Sequence, residues 1–184
     1  MKRSLLALGL VLAAGFAATP AAAQLGGRVS VMPYVGYGFL GGLPGTDAEL
    51  EADVAFGGRA SYQLSPQFAV FGNFQRTTPE ITNEDGEGSG RSINLDHWSA
   101  GVEFSYVPRG GAEGMLPILL EAGLGQARFE NGPNEIAANI GVASAIQLTP
   151  MFGLRYGAND YIFNYDGEGV VNHVYVHVGG EFTF

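Results

Sequence analysis

The sequence predicts an all-β chain folded as an eight-stranded antiparallel up-and-down transmembrane β-barrel. Three observations carry this reading. Apolar and polar residues alternate with a period of two along about eight segments. The connections between segments alternate between short and long. After residue 23 no run approaches the ~18 consecutive apolar residues of a spanning helix, so a chain that crosses a bilayer here crosses it as strands.

The opening residues stand apart from this pattern. Met1-Lys2-Arg3 is followed by an apolar run from Leu5 to Phe16 and then by Ala21-Ala22-Ala23-Gln24. A charged start, a short apolar core and small residues before a cleavage point describe a secretory signal peptide. Cleavage after Ala23 divides the chain into a signal peptide, 1–23, and a single barrel domain, 24–184.

The first segment, Arg28 to Leu40, sets Val29, Val31, Val35, Tyr37 and Phe39 against Ser30, Tyr34, Gly36 and Gly38. Pro33 interrupts it and predicts a bulge. The second, Asp53 to Leu64, sets Val54, Phe56, Ala60, Tyr62 and Leu64 against Gly57, Arg59, Ser61 and Gln63. The third is Phe68 to Thr77, and the fourth, Asn94 to Val107, opposes Trp98, Val102, Phe104 and Tyr106 to His97, Ser99, Gly101 and Glu103. The fifth to seventh are Leu116–Phe129, Ile136–Leu148 and Met151–Phe163, with Glu121, Asn139 and Arg155 on their polar parities. The eighth, Val170 to Phe184, places Val174, Val176, Val178, Phe182 and Phe184 opposite His173, Tyr175, His177, Glu181 and Thr183.

Short connections follow the second, fourth and sixth segments: Ser65-Pro66-Gln67, Arg109 to Gly114, and Thr149-Pro150. Longer ones follow the first and third, Gly41 to Ala52 and Thr78 to Ile93, and shorter outer ones the fifth and seventh. The outer connections hold or adjoin twelve acids, among them Asp47, Glu49, Glu51, Glu80, Glu84, Asp85, Glu87, Glu130, Glu135, Asp166 and Glu168. They read as solvated loops that could meet a surface partner; Asn83-Glu84-Asp85-Gly86-Glu87 lacks the spacing of a calcium loop.

Of the chain's nine cations, only Lys2 and Arg3 precede the cleavage point, so seven arginines face 18 acids in the mature part. That balance excludes nucleic acid as a partner, because neutralising phosphates needs clustered cations. Cysteine is absent, which removes a disulfide framework and a lipidated cysteine. Glycine, at 29 residues, exceeds the roughly 7% of ordinary globular chains and recurs at alternate strand positions, where it leaves room in a narrow interior.

The last segment carries a resemblance. A terminal Phe184, preceded by outward apolar residues at every second position through Phe182-Thr183-Phe184, resembles the closing strand of the small bacterial outer-membrane barrels of the OmpA transmembrane-domain and OmpX type. The resemblance implies a Gram-negative outer-membrane location, contact with outer-membrane lipid and lipopolysaccharide, and Phe182 and Phe184 as the signal read by the insertion machinery. It implies a structural or surface-interaction role, without catalysis or cofactor.

Five inward charges, Arg59, Glu103, Glu121, Arg155 and Glu181, come from five strands at similar depth and predict a buried ionic network. Three acids face two bases, and His177 is the candidate to supply the missing charge or hydrogen bond. The functional alternative to such a plug is a gated small-solute or ion pore. His173 and His177 lie about 13 Å apart along one strand, too far to share a metal ion. His97-Trp98-Ser99 has the His-x-Ser spacing of outer-membrane lipid A deacylases, but its parity turns both residues inward and Ala100 replaces the Asn of that family. Arg76 and Arg128, outward near the upper rim, are candidates to contact lipopolysaccharide phosphates. A soluble lipocalin-like barrel is the remaining alternative and would require the two faces to be inverted.

Overall fold

The computed structural model describes residues 27–83, 88–107, 116–130 and 132–184. The expected signal peptide, the turn from Arg109 to Gly114 and the acids Glu84, Asp85 and Glu87 lie outside the described residues. The strands in chain order are β1 (Val29–Phe39), β2 (Gly41–Gly42), β3 (Ala48–Leu50), β4 (Asp53–Gln63), β5 (Phe68–Thr77) and β6 (Glu80–Asn83). They continue as β7 (Gly88–Ser92), β8 (Leu95–Tyr106), β9 (Ile118–Phe129), β10 (Asn134–Thr149), β11 (Phe152–Tyr165) and β12 (Gly169–Thr183).

Eight of these close into one antiparallel barrel in the order β1-β12-β11-β10-β9-β8-β5-β4. Each strand pairs with its neighbour along the chain, and the first pairs with the last, Val35 opposite Val178, so no edge is left unpaired. Backbone hydrogen bonds between Val29 and Phe184, 2.9 and 3.3 Å, tie the seam at its lower end.

The faces divide as the alternation predicts. Val102, Leu120, Leu124, Ile140, Val142 and Val176 are exposed on the outside, with Leu124 retaining 68% of its surface. Arg59, Glu103, Glu121, Asn139, Asn159 and Arg155 are buried inside. A continuous belt of exposed Val, Leu and Ile far exceeds the apolar patch a soluble monomer tolerates, so the belt is a lipid-facing surface. This burial is the reverse of the lipocalin-like arrangement, in which the apolar parity would line the interior. Aromatic residues flank the belt, with Tyr37, Phe39, Phe74 and Trp98 high and Phe68, Tyr106 and Phe182 low, all exposed.

Pro33 makes no bulge. Its ladder to β4 runs unbroken through Met32 with Arg59, Pro33 with Gly58 and Tyr34 with Gly57. On the β12 side the pairs Val31–Phe182 and Tyr34–Gly179 keep one register across it. The exposed ring points out of the barrel, so the missing N–H removes ladder bonding without inserting a residue. Within the barrel the register shifts instead between Gln147 and Thr149, beside the β10–β11 turn.

The outer connections are more ordered than solvated loops. The strands β2, β3, β6 and β7 form a second, four-stranded sheet in the order β2-β3-β6-β7. Leu40, Leu43 and Leu50 from this region are buried in one cluster with Leu95, Ala127, Phe129, Phe163 and Val171 of the barrel mouth, and Ile81 and Ile93 pack against it. The barrel therefore carries an apolar stopper at its upper end, built jointly by loop and strand residues.

Two adjacent strands approach closely enough to require glycine. A Cβ at Gly125 would stand 1.8 Å from the Trp98 carbonyl oxygen, and one at Gly101 2.2 Å from that of Ala122. The narrow β8–β9 wall opposite the larger inward side chains depends on these missing atoms.

Candidate functional site in the barrel lumen

Below the apolar stopper the lumen is crossed by a layer of four charged side chains. The β8–β9 register sets Glu103 directly opposite Glu121, a pairing of like charges that is unfavourable unless cations intervene. Arg59 from β4 and Arg155 from β11 supply them. Arg59 donates to Glu103 at 2.7 Å and to Glu121 at 3.2 Å. Arg155 Nη2 donates to Glu103 at 2.5 Å and also to Glu121. Asn159 donates to Glu121 Oε2 at 3.1 Å, and the Arg59 guanidinium lies 4.0 Å above the Phe71 ring. The four charges are between 2% and 9% exposed and sum to zero. Each carboxylate meets both guanidiniums, which makes the layer one unit rather than two separate pairs.

A polar and aromatic layer lies above it. The Tyr34 hydroxyl donates to Asn73 at 3.0 Å, and Asn73 Nδ2 donates to the Tyr161 hydroxyl at 2.8 Å. Ser99 and Tyr161 share a 3.4 Å hydrogen bond. His97, fully buried, bonds His173 Nδ1 through Nε2 and the Tyr175 hydroxyl through Nδ1, both at 3.2 Å. Beneath the ionic layer a cavity of about 220 Å³, lined by Arg28, Ser61, Gln63, Ser105, Glu181 and Thr183 among others, reaches Glu103 and Arg155 at its inner end.

The structure brings together four of the six residues assigned to the ionic network. Glu181 lines the lower cavity and makes no ion pair or hydrogen bond among the described residues. His177 also stands outside the network: its ring packs on Tyr34 with centroids 5.1 Å apart, and its buried Nδ1 has no hydrogen-bond partner. The physical reason is register. His177 pairs with Gly36 and Gly157 on its neighbours, a level above the Arg155–Gly179 pair, so its ring enters the aromatic layer.

His97 and Ser99 are both buried in the lumen, and their hydrogen bonds go to different partners, so neither reaches lipid. Among the described residues no group of three or more His, Cys, Asp or Glu is placed to hold a metal. On the outer surface Arg76 is held by Asp96 through two bonds of 2.5 and 2.7 Å. Arg128 stands opposite Asp96 on the next strand, forming an Arg-Asp-Arg row across β5, β8 and β9. Phe182 faces outward against Phe152, ring centroids 5.1 Å apart. Sequence reasoning overlooked Asp96, whose outward parity in an apolar segment was the available signal. It also overlooked Asn159 and Tyr34, whose partners lie on strands distant in sequence.

A closed eight-stranded barrel, apolar outside and polar within, defines this chain as a small transmembrane barrel with the fold of bacterial outer-membrane proteins. No family model matches the sequence, and no curated protein matches it. Among solved structures it is similar to the outer membrane protein OprG from Pseudomonas aeruginosa, at 10% identity and a TM-score of 0.59 over 86% of this chain and 95% of that one. Neisserial surface protein A is similar at 13% identity and a TM-score of 0.55, over 86% and 97%. Ail, the attachment invasion locus protein of Yersinia pestis, is similar at 16% identity and a TM-score of 0.53, over 86% and 99%. At these identities the likeness is one of fold.

Proposed function

We propose that this protein is an integral outer-membrane barrel with a sealed lumen, acting as a structural and surface-presenting element rather than as a channel. The observation that carries the reading is the filled cross-section. Side chains from β4, β8, β9 and β11 meet across the lumen through contacts of 2.5 to 3.2 Å, and the apolar stopper lies above them. An interior bounded by eight strands is just wide enough for side chains to fill. A permeating ion would have to part a buried guanidinium–carboxylate layer and then cross Leu95, Phe129 and Phe163. In this reading lipid surrounds the belt, lipopolysaccharide meets the upper rim, and Phe182 and Phe184 address the chain to the insertion machinery.

The outer end is where a partner would be met. The Ail structure has been determined with a heparin analogue, sucrose octasulfate. The outer end of this chain carries exposed Asp47, Glu49, Glu51, Glu130, Asp166 and Glu168, so a cationic partner suits it and a sulfated polyanion does not. Planar-bilayer recording tests the sealed lumen. The wild-type protein is expected to show no discrete conductance; steps that change on Arg59→Gln or Glu121→Gln would replace this reading with a pore.

A further inference from the structure

We propose that the cavity between the small outer sheet and the barrel mouth is the docking site of a cationic peptide segment, which seats one aromatic side chain there. The inference rests on the reading of this end as the outer, partner-facing one, and adds the residues that hold the partner. The cavity, of about 340 Å³, lies between residues of β3, β6 and β7 on one side and the ends of β9 and β11 on the other. Its floor is the stopper itself, since Leu43 and Phe129, both buried in that cluster, line it. Ile81, Ile93 and Tyr165, which pack against the stopper while staying partly exposed, line it too. An apolar side chain seated there extends the stopper by one residue and takes from water the flank that these three leave uncovered.

The rings favour an aromatic anchor. Phe129 packs on Phe163 with centroids 6.0 Å apart and on His173 at 6.2 Å, and Tyr165 meets it edge-on at 5.2 Å. This wall is formed without any partner, and one more ring adds to it in the same edge-to-face manner. The rim sets the sign of the partner. Exposed Asp47 and Glu49 flank Ala48 of the lining, and exposed Asp166 follows Tyr165; none of the three acids forms an ion pair among the described residues. Glu130, at the cavity edge, accepts two hydrogen bonds from Asn94 and interacts at longer range with Arg76. Arg91, the one cation of the lining, is engaged within the chain. Negative potential over the mouth steers and orients a cationic segment, while the seated ring supplies most of the affinity.

The test is fluorescence anisotropy of a labelled short peptide, one tryptophan between paired arginines, titrated with the protein in nanodiscs of zwitterionic lipid, with empty discs as the blank. Saturable binding that weakens with added salt is expected. Replacing the peptide's tryptophan by alanine should weaken it by about tenfold or more, the loss of an anchor side chain. Ala48→Trp, which fills the cavity from β3, should weaken it by a similar factor. Asp47→Asn with Asp166→Asn should weaken it about threefold and flatten its salt dependence; asparagine suits the left-handed backbone at position 166, where φ is 48°. The proposal is overturned if no saturable binding appears, if the alanine peptide binds as well, or if Ala48→Trp binds as the wild type does. It also falls if a glutamate-flanked peptide or indole alone binds as tightly, because the cavity then takes any apolar molecule. Quantitative crosslinking of Ala48→Cys chains within one disc would assign the cavity to a second copy and overturn it likewise. Retained heat-modifiable gel mobility shows that each variant is folded. Bilayer conductance tests the sealed lumen separately, so failure of one reading is distinguishable from failure of the other.

Discussion

Replacing Arg155 with Leu removes one of the two cations that Glu103 and Glu121 share. Arg155 is 2% exposed and donates to Glu103 and Glu121, which sit opposite each other on β8 and β9. Without it Arg59 alone faces two buried carboxylates, leaving one uncompensated negative charge in the lumen. Breaking a buried pair by deleting one partner costs about 3–5 kcal/mol, and two lost charged hydrogen bonds at about 1.5–3 kcal/mol each give the same range. With a urea slope of about 2 kcal/mol per molar, the unfolding midpoint falls by roughly 2 M. Trp98 is the only tryptophan and faces outward on the belt, so its fluorescence reports leaving the lipid or detergent phase. The second arm is Arg155→Leu combined with Glu121→Gln. That pair of changes restores neutrality around the intact Arg59–Glu103 contact of 2.7 Å. It should unfold later than the sum of the single effects predicts, with a coupling of about 1–3 kcal/mol. A single-variant cost under about 1 kcal/mol, or strict additivity, would show that the four charges do not act as one unit.

Other changes test the wall, the belt and the rim. Gly125→Ala places a Cβ against the Trp98 carbonyl and should destabilise by about 1–3 kcal/mol in the same unfolding assay, whereas Gly72→Ala, with no atom within 4 Å of its new Cβ, should be close to neutral. Val102→Arg, on the outward face at 55% exposure, should cost about 2–4 kcal/mol if it meets hydrocarbon and almost nothing if it meets water. At the rim, Asp96→Asn frees Arg76 from its two carboxylate bonds and should strengthen lipopolysaccharide binding, while Arg76→Gln with Arg128→Gln should weaken it by about tenfold; unchanged binding in the double variant removes the rim from consideration.

The eight barrel strands, their limits and the inside–outside assignment were legible in the sequence, because a period of two is a local property of the chain. The segment from Phe68 to Thr77 coincides with β5, and the others differ from their strands by one or two residues at an end. Which inward charges meet was less legible. Arg59 and Glu103 are 44 residues apart, and their contact follows from closure and stagger of the barrel. His177 has the parity and approximate depth of a network member, yet its register places it beside Tyr34. The sheet of β2, β3, β6 and β7 was missed because its strands are two to five residues long, too short for alternation to be read against turn residues and acids.

Taken alone, the order of amino acids determined that this chain buries charge and exposes valine, which fixes its solvent as lipid. Only the closed structure decided that two arginines and two glutamates share one layer, that Glu181 is left facing a cavity, and that leucines from the outer connections stopper the mouth. The division has one cause: side-chain direction is set by the two nearest peptide units, whereas which side chains touch across a lumen is set by the register of every strand between them.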